Sequence, residues 1–483
     1  MTFARLLDSK SHLIPVTKIC GVNRNVGKLK VAELFFEVPL DYSNLTRGTI
    51  KLFARSVTKY EKPAVAPSEE ESRKSSQKPW FVYLQGGPGF GCKPPQDHPL
   101  TNVVLEKGYQ MLYLDQRGTG LSTPLSAATL ALQGDVHRQV DYAKLFRQDN
   151  IVRDCEAIRK TLTADYPNDL KKCVIPLTYH TISICPSGQN EDLKSVTDVY
   201  AGGLREVFTS GGLAPVGHSP EKVYRATYKK VMERNRAYYQ KFPEDVEAVH
   251  SLAIHINSKG GLSLPSGGTL TVRMFLTLGI NFGFHGGLDF VHQLIHRMCS
   301  DLDQFSFVTR ATLQAVDDAI SKDNNIIYAI LHEPIYCQGQ ASNWAAEKVG
   351  KGIHEFRWLT GEPPCPNAVT EEPLFFSGEM IYSFMFQTSP ELEKVSPVAH
   401  HLAEYPDWPD VYDEWQLARN EVPLYAASYV DDMYVDFGLA QETARMVKGC
   451  KQFITNTMYH DAVRSQTDQM MVELFKLRDD SID

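Results

Sequence analysis

The stretch WFVYLQGGPGF, residues 80–90, begins as an uninterrupted apolar run and ends in three glycines around Pro88. A short apolar run without alternation is typical of a strand that is buried on both faces of a parallel sheet. Glycines directly after such a strand let main-chain N–H groups approach a ligand closely, often a developing oxyanion. The stretch therefore predicts a buried strand that ends at a reactive edge of the sheet.

A second stretch of the same kind follows, QMLYLDQRGTG at residues 110–120, and it also ends in a glycine-bearing loop. Helical periodicity then appears in NIVRDCEAIRKTL, residues 150–162. Strand, loop, strand and helix in this order are typical of an α/β fold with a mainly parallel sheet. We therefore predict the α/β class.

The middle of the chain has a different texture. From Pro220 to Trp415 the pattern is mainly helical, and short apolar strands return only in VPLYAASYV and KQFITNTMY, residues 422–430 and 451–459. One α/β core split by a helical insertion explains this better than two independent domains. We predict a core formed by residues 1–215 and 416–483, with a helical cap over residues 216–415.

Composition limits the function. The 483 residues carry a formal net charge of −8 and 43% hydrophobic residues, without a dense basic tract, so we expect no nucleic-acid partner. No stretch has the length of a membrane span, and the N-terminus lacks the pattern of a signal peptide, so we expect no membrane association. The nine cysteines contain no C-x-x-C pair, which favours reduced thiols and a cytoplasmic location.

Two further strand ends carry residues suited to catalysis. Asp431 and Asp432 follow the strand at residues 422–430, and His460 follows the strand at residues 451–459. In parallel sheets, reactive groups gather at the carboxyl ends of the strands. An acid followed by a histidine near the C-terminus has the chain order Ser…Asp…His of the α/β-hydrolases.

Five motifs together resemble the proline iminopeptidase (prolyl aminopeptidase) family, in its longer fungal form. This resemblance implies an α/β-hydrolase core with a helical cap, and a serine peptidase that removes N-terminal proline from peptides with a free N-terminus, without metal or other cofactor. The motifs are QGGPGFG (85–91), LYLDQRGTGLSTP (112–124), DNIVRDCEAIR (149–159), GLREVFTSGGLAP (203–215) and HEPIYCQG (332–339).

The resemblance also implies roles for individual residues. Asp432 resembles the triad acid, with Asp431 as its rival, and His460 resembles the general base. Gly86 and Gly87 would offer N–H groups to the oxyanion. Asp115, Arg117 and Gly118 are expected to brace the loops of the site by hydrogen bonds.

An aminopeptidase must recognise a free ammonium group, which buried carboxylates do by charge-assisted hydrogen bonds. Glu333, in HEPIYC, resembles the cap glutamate of the family. Glu379, in FSGEMIYSFMF, is a second candidate in an aromatic setting that suits a pyrrolidine ring. For both glutamates, the alternative is a solvated helix face.

The nucleophile elbow of the family, Gly-x-Ser-x-Gly-Gly, is missing. Residues 173–202 read CVIPLTYHTISICPSGQNEDLKSVTDVYAG in its place, and no G-x-S-x-G occurs elsewhere in the sequence. Ser187 is the nearest substitute, although Pro186 before it lacks an N–H and the following residues are polar. We therefore expect little activity from the chain as written. Translated intron sequence in place of a skipped exon would also account for this stretch, since its ends can be encoded around a GT donor and a CAG acceptor.

Other functions remain alternatives. The chain is either a serine aminopeptidase or a non-catalytic relative that binds peptides, and an esterase on the same scaffold is a weaker alternative. His292 and His296 lie four residues apart, on one helix face, but the glutamate of H-E-x-x-H is missing and apolar residues surround them. We therefore predict no metal site there.

Overall fold

The computed structural model describes residues 4–14, 28–60, 68–71, 77–178, 201–361 and 372–480. Eleven strands are formed by these residues, nine of them in one sheet and two in a small hairpin. The strands are β1 (Arg5–Ile14), β2 (Lys28–Pro39), β3 (Thr49–Tyr60), β4 (Trp80–Leu84), β5 (Gln110–Asp115), β6 (Cys173–Thr178), β7 (Leu204–Ser210), β8 (Leu262–Ser263), β9 (Thr269–Leu270), β10 (Leu424–Tyr429) and β11 (Cys450–Thr455).

The large sheet has the strand order β1-β2-β3-β5-β4-β6-β7-β10-β11. Its first three strands pair antiparallel, and β3 also pairs antiparallel with β5. From β5 to β11 all neighbours are parallel, so the carboxyl ends of six strands meet at one edge. The predicted α/β class, with a mainly parallel sheet, is confirmed.

Both faces of the parallel sheet are covered, which explains its apolar strands. Along β4, Phe81 and Tyr83 belong to one apolar cluster, whereas Val82 and Leu84 belong to another, as the alternation of side chains in a strand requires. Every residue of β4, β5 and β10 is buried. Their sequences therefore lack the polar alternation of a half-exposed strand.

Seventeen α-helices are formed by the described residues, and none of these is both long enough and apolar enough to cross a membrane. They are α1 (Leu100–Glu106), α2 (Ala127–Ala131), α3 (Val136–Ala143), α4 (Gln148–Leu162), α5 (Pro220–Lys241), α6 (Asp245–Ser258), α7 (Val272–Phe275), α8 (Gly287–Phe305), α9 (Arg310–Ile320), α10 (Ile326–Leu331), α11 (Ala345–Lys351), α12 (Pro390–Lys394), α13 (Ser396–Glu404), α14 (Glu414–Ala418), α15 (Phe437–Met446), α16 (Ala462–Ser465) and α17 (Thr467–Asp479).

The described chain between β7 and β10 is mainly helical, apart from the β8–β9 hairpin. Its first helix, α5, begins after Ser219, whose hydroxyl accepts a hydrogen bond from the N–H of Lys222, with Pro220 at the first helical position. A serine cap followed by proline is a strong start signal for a helix. Apolar residues of this block share one cluster with one face of the sheet. Its exact division from the core, at residues 215 and 416, stays a prediction.

The motif LDQRG holds two parts of the core together. The Arg117 side chain is fully buried, and its guanidinium donates to both carboxylate oxygens of Asp154 on α4, each at 2.7 Å. It also donates to the carbonyl oxygens of Leu40 and Leu145. A bidentate pair with further acceptors compensates for the desolvation of both charges. Arg117 therefore fixes the loop after β5 against α4, as expected of a bracing residue.

Strand β6 lies between β4 and β7 in the centre of the sheet, and it pairs with β7 over all six of its residues. It carries Pro176, which has no N–H to donate. Its pairs with β4 are Phe81 with Val174 and Leu84 with Leu177, whereas β4 and β5 pair without a gap over five residues. Proline is normally confined to edge strands or strand ends. The replaced stretch thus supplies the strand, with a residue unsuited to its centre.

Candidate active site

Asp432 and His460 meet at the carboxyl ends of β10 and β11. The Nδ1 atom of His460 lies 2.9 Å from Oδ2 of Asp432. The other oxygen of Asp432 accepts hydrogen bonds from the N–H groups of Tyr434 and Val435, and its side chain is 1% exposed. These contacts hold the Asp432 carboxylate in a fixed orientation. Nδ1 of the His460 ring therefore faces Asp432, and Nε2 is the ring nitrogen on the side away from it.

The adjacent acid, Asp431, points elsewhere. Its Oδ1 atom accepts a hydrogen bond from the Nζ atom of Lys230 at 3.3 Å, and its side chain is 42% exposed. The structure thus brings Asp432, and not Asp431, to His460.

The protonation of His460 is controlled by two opposing effects. Burial lowers the pKa of His460, whereas the Asp432 carboxylate raises it through its charge and its hydrogen bond. The carboxylates of Glu379 and Asp461 act in the same direction as Asp432, and the pKa of His460 lies above its usual range near 6.5 as a result. A basic imidazole held by a carboxylate is suited to accept a proton from a nucleophile.

Gly211, which follows β7, is required by the position of the His460 ring. Its φ is +84°, and a Cβ atom on it would lie 2.9 Å from Cε1 of His460. Both the left-handed backbone and the contact with the ring exclude a larger residue. On another side the ring packs edge-on against Tyr434, with centroids 4.9 Å apart. Backbone and aromatic packing together fix the imidazole plane.

The glycine loop after β4 is held from the core and from the helical block. On the core side, the Asp115 carboxylate accepts hydrogen bonds from the N–H groups of Cys92 and Leu121. On the other side, the Asn325 amide donates to the carbonyl oxygen of Pro88 at 3.0 Å. Gly89, with φ +92°, makes room for Asn325, because a Cβ there would collide with its side chain. Gly86 and Gly87 thus lie in a braced loop.

A cavity of about 710 Å³ lies between the sheet edge and the helical block. Gly86, Gly87 and His460 form part of its core wall, and Phe284, Tyr328 and Glu379 form part of the opposite wall. A volume of this size accommodates a small peptide. The structure thus brings the predicted glycines, the histidine and one predicted glutamate to a common cavity.

Glu379 is oriented by aromatic and basic neighbours. Its Oε1 accepts a hydrogen bond from the Tyr328 hydroxyl at 2.9 Å, and its Oε2 lies 3.9 Å from Nε2 of His332. Burial and then the Glu379 charge raise the pKa of Tyr328 well above its usual value, so this hydroxyl remains a donor. Glu379 is 12% exposed and faces the cavity. It is therefore available to a cationic group in the cavity.

Glu333, the other predicted glutamate, is buried against the start of helix α11. It does not line the cavity, and its carboxylate accepts hydrogen bonds from the N–H groups of Ala345 and Ala346 at the start of α11. Burial raises the pKa of Glu333 to about 7, although these two N–H groups favour the ionised form. A carboxylate at a helix N-terminus satisfies free donors and the helix dipole. In this structure Glu333 contacts protein backbone, and the cavity wall holds Glu379 alone of the two.

The family nucleophile is expected directly after β6. This strand lies next to β4, the strand of the glycine loop, and ends at Thr178. Ser187 lies outside the described residues. Among the described residues, the serines that line the cavity are Ser210 and Ser321. Ser210 is the last residue of β7, the strand next to β6, and its Oγ lies 3.3 Å from the Tyr429 hydroxyl.

Among the cavity residues that the sequence analysis did not single out are Lys322, Tyr328 and Tyr434. Tyr434 lies two residues after Asp432 and Tyr328 lies four before His332, so proximity to motif residues was the available signal. Lys322 gave no signal. Its Nζ atom lies 5.1 Å from the centroid of the Tyr328 ring, and burial lowers its pKa to about 8, against the opposing attraction of Glu379.

His292 is paired with a carboxylate. Its Nδ1 lies 2.9 Å from Oδ2 of Asp245, and its ring is stacked on Phe242 with centroids 3.9 Å apart. Glu244 completes a group of three side chains whose oxygen and nitrogen atoms could approach one ion. The same Asp245 oxygen also accepts a hydrogen bond from Tyr238, so the group is satisfied by protein contacts.

Comparison with known proteins gives two long matches. The chain is 40% identical over 481 residues to "Proline iminopeptidase aneH" of Aspergillus aculeatus, covering 99% of this chain and 98% of the relative. It is 36% identical over 453 residues to the proline iminopeptidase of Aeromonas sobria, covering 92% and 96% of the two chains. No protein-family model matches the sequence.

Among solved structures, the proline iminopeptidase of Mycobacterium smegmatis is similar over 92% of this chain and 97% of its own, at 11% identity and a TM-score of 0.38. That value is too low to add to the argument. The sheet order and the two relatives, matched over nearly their whole length, are sufficient: the chain belongs to the proline iminopeptidases, a family of aminopeptidases with an α/β-hydrolase core.

Proposed function

We propose that the cavity binds peptides that begin with a free N-terminal proline, and that the chain as written hydrolyses them only slowly. The observation that carries the proposal is the hydrogen-bonded Asp432–His460 pair on one wall of the cavity, with Glu379 on the other. The names of the two relatives support proline as the N-terminal residue.

In this proposal Glu379 accepts the substrate ammonium, and the Tyr328 hydroxyl holds the carboxylate in place. A charge-assisted hydrogen bond in a partly desolvated site favours a cationic amine over a blocked one. The aromatic ring of Phe284 in the same wall and that of Tyr434 beside His460 offer an apolar surface to a pyrrolidine ring. The scissile carbonyl would then lie between the glycine loop and His460.

His460 would act as general base through Nε2, because Nδ1 faces Asp432. Asp432 would orient the ring and stabilise the imidazolium that forms when a proton is taken up. The same proton would pass to the leaving amine. N–H groups of Gly86 and Gly87 would stabilise the oxyanion, in a loop that Asp115 and Asn325 hold without rearrangement.

The nucleophile is the deficient part. An elbow serine lies on a tight turn directly after its strand, between small residues that allow the strained backbone. Residues after Thr178 contain no such motif, and Ser187 comes nine positions later behind Pro186. Without an activated hydroxyl, only binding and oxyanion stabilisation contribute to the rate, several orders of magnitude below that of a complete triad.

The described cysteines bear on the location. All six cysteines that the structure describes are free thiols, namely Cys92, Cys155, Cys173, Cys299, Cys337 and Cys450. Free thiols in this number are typical of a reducing compartment, so they favour a cytoplasmic location.

Calorimetric titration tests binding directly. The dipeptide amide Pro-Ala-NH₂ is compared with its N-acetyl derivative, on the full chain and on Glu379→Gln. We expect a preference of at least tenfold for the free amine, which Glu379→Gln removes, because an ionic hydrogen bond contributes about 1.5–3 kcal/mol. Equal affinity for the two peptides would refute the proposal.

Turnover separates the alternatives. We expect slow hydrolysis of proline 2-naphthylamide, several orders of magnitude below the rate of a complete triad but above the uncatalysed background. Rapid cleavage of a proline ester without cleavage of the amide would instead favour the esterase alternative, and binding without either reaction would favour the non-catalytic relative. Robust hydrolysis of the naphthylamide that requires both His460 and Ser187 would make Ser187 the nucleophile.

A further inference from the structure

Charged side chains in the cavity wall are unevenly distributed. The core wall, near the glycine loop and His460, contributes Lys93 and Arg464 together with Asp461. The remaining charged residues of the wall come from the helical block, namely Asp318, Lys322 and Glu379. The core side is thus mainly basic, and the opposite side has more carboxylates than amines.

The acidic residues of the wall already have partners. Asp461 accepts a hydrogen bond from the N–H of His285 at 3.0 Å, and Asp318 accepts one from the Gln314 amide at 2.9 Å. Glu379 accepts from Tyr328. These contacts use side-chain and backbone donors of the helical block, and none of them involves the two basic residues of the core wall.

Lys93 and Arg464 are free of such contacts within the part of the chain that the structure describes. Neither side chain makes a salt bridge or a hydrogen bond with the described residues. Both side chains are exposed to the cavity and to solvent. Two basic groups in one wall, without a described carboxylate to neutralise them, attract an anionic group.

The chain positions bring both basic residues beside the reaction centre. Lys93 lies six residues after Gly87, beyond the glycine loop, and Arg464 lies four residues after His460, on the short helix α16. Both charges act on the buried ring of His98, whose pKa is lowered to about 3, by burial first and by Arg464 and Lys93 next. The two cations therefore lie on the same side of the cavity.

A bound peptide would cross the cavity from Glu379 to this side. If Glu379 holds the N-terminal ammonium and His460 protonates the leaving amine, the residue after the scissile bond lies beyond His460. An extended chain advances about 3.3–3.6 Å per residue, so the C-terminus of a dipeptide or tripeptide is only one or two residues farther on. Its carboxylate then comes within reach of long basic side chains in the core wall.

We propose that Lys93 and Arg464 bind the C-terminal carboxylate of short peptides, so that the cavity selects dipeptides and tripeptides with a free C-terminus. The proposal rests on the proposed function for the orientation of the peptide. It adds a second recognition point at the opposite end of the substrate, contributed by the core and not by the helical block. Longer peptides lose this contact unless an acidic side chain takes the same position.

Calorimetric titration of the full chain with Pro-Ala and Pro-Ala-NH₂ tests the proposal. We expect Pro-Ala to bind about tenfold more tightly, because two exposed ion pairs of up to about 1 kcal/mol each are gained. The double variant Lys93→Gln/Arg464→Gln should reduce this ratio to less than about twofold, and added salt should reduce it in the native chain.

A matched control removes the same two charges elsewhere. Lys259 and Arg205 are exposed and do not line the cavity, so Lys259→Gln/Arg205→Gln should keep the preference for the acid. Equal binding of acid and amide by the native chain, or a preference that survives in the Lys93/Arg464 variant, would overturn the inference alone. If neither peptide binds, the proposed function fails as well, and both proposals are overturned.

Discussion

The carboxyl ends of β10, β11 and β6 lie at the same edge of one sheet. They differ in whether the residues expected of a catalytic triad are present. At β10 and β11, Asp432 and His460 are joined by a hydrogen bond and are fixed by backbone donors and by Gly211. At β6, a proline lies within the central strand, and the sequence beyond the strand lacks the family elbow.

This difference teaches that the parts of a catalytic site are specified separately. The acid and the base depend on short strands followed by polar residues, which the C-terminal part of the chain retains. The nucleophile depends on a strained turn with small neighbours, and no other part of the fold can supply it. Under the proposed function, the chain keeps the cavity and the Asp432–His460 pair without the hydroxyl that His460 would activate.

The largest effect is expected for the buried ion pair of Arg117 with Asp154, which fixes the loop after β5 against α4. Arg117→Met leaves Asp154 as a buried carboxylate without its partner, which should lower the free energy of unfolding by about 3–5 kcal/mol. Urea denaturation measures the loss. As a control, Arg138→Met removes an exposed pair with Asp135 and should cost less than about 1 kcal/mol. Similar losses for the two variants would contradict the bracing role of Arg117.

The acid–base pair itself should have a smaller and pH-dependent effect. Attraction to Asp432 raises the pKa of His460, so this attraction stabilises the folded chain below the unfolded value near 6.5 and is lost as the pH rises through the folded pKa. Asp432→Asn should therefore destabilise the protein more at pH 5.5 than at pH 8.5, by about 1–3 kcal/mol at the lower pH.

Unfolding in urea at the two pH values measures this difference. Asp431→Asn is the matched control, because its exposed carboxylate faces Lys230 and not His460. We expect it to change stability by less than about 1 kcal/mol at either pH. An equal loss for Asp432→Asn at both pH values would mean that the pair does not raise the pKa of His460.

The smallest effect is expected at β6 and has the opposite sign. Pro176→Val restores an N–H to a central strand and should raise the free energy of unfolding by about 0.5–1.5 kcal/mol. Pro423→Val is the control: Pro423 lies just before β10 and takes part in the sheet through its carbonyl oxygen, which valine retains, so we expect almost no change. If Pro176→Val destabilised the protein, β6 would be adapted to its proline and the contrast between the two halves would be weaker.

The sequence predicted the features that depend on local pattern. The analysis identified the buried strands, the glycine loop and the residues after β10 and β11. Apolar runs and turn residues can be recognised within about ten positions of sequence. The fold class and the family followed from these patterns and are confirmed.

Contacts between distant segments were not predictable in the same way. Glu333 and Glu379 look alike in sequence, and only the packing of α11 and α10 places one against a helix N-terminus and the other in the cavity. No motif marks Lys322 or Arg464 in the sequence. Their place in the cavity wall depends on how the helical block meets the sheet edge. The absence of the family elbow, by contrast, was evident from the sequence, because its residues are not there.

Labelling with a fluorophosphonate probe tests the central claim most directly, because this reagent modifies a serine only when a neighbouring base activates it. The purified chain is incubated with the probe beside a serine hydrolase of known reactivity, and the intact mass is measured. The account predicts that the chain stays unmodified while the control enzyme is labelled completely. Stoichiometric modification of one serine, abolished by His460→Ala, would contradict the account and would identify the nucleophile by peptide mapping.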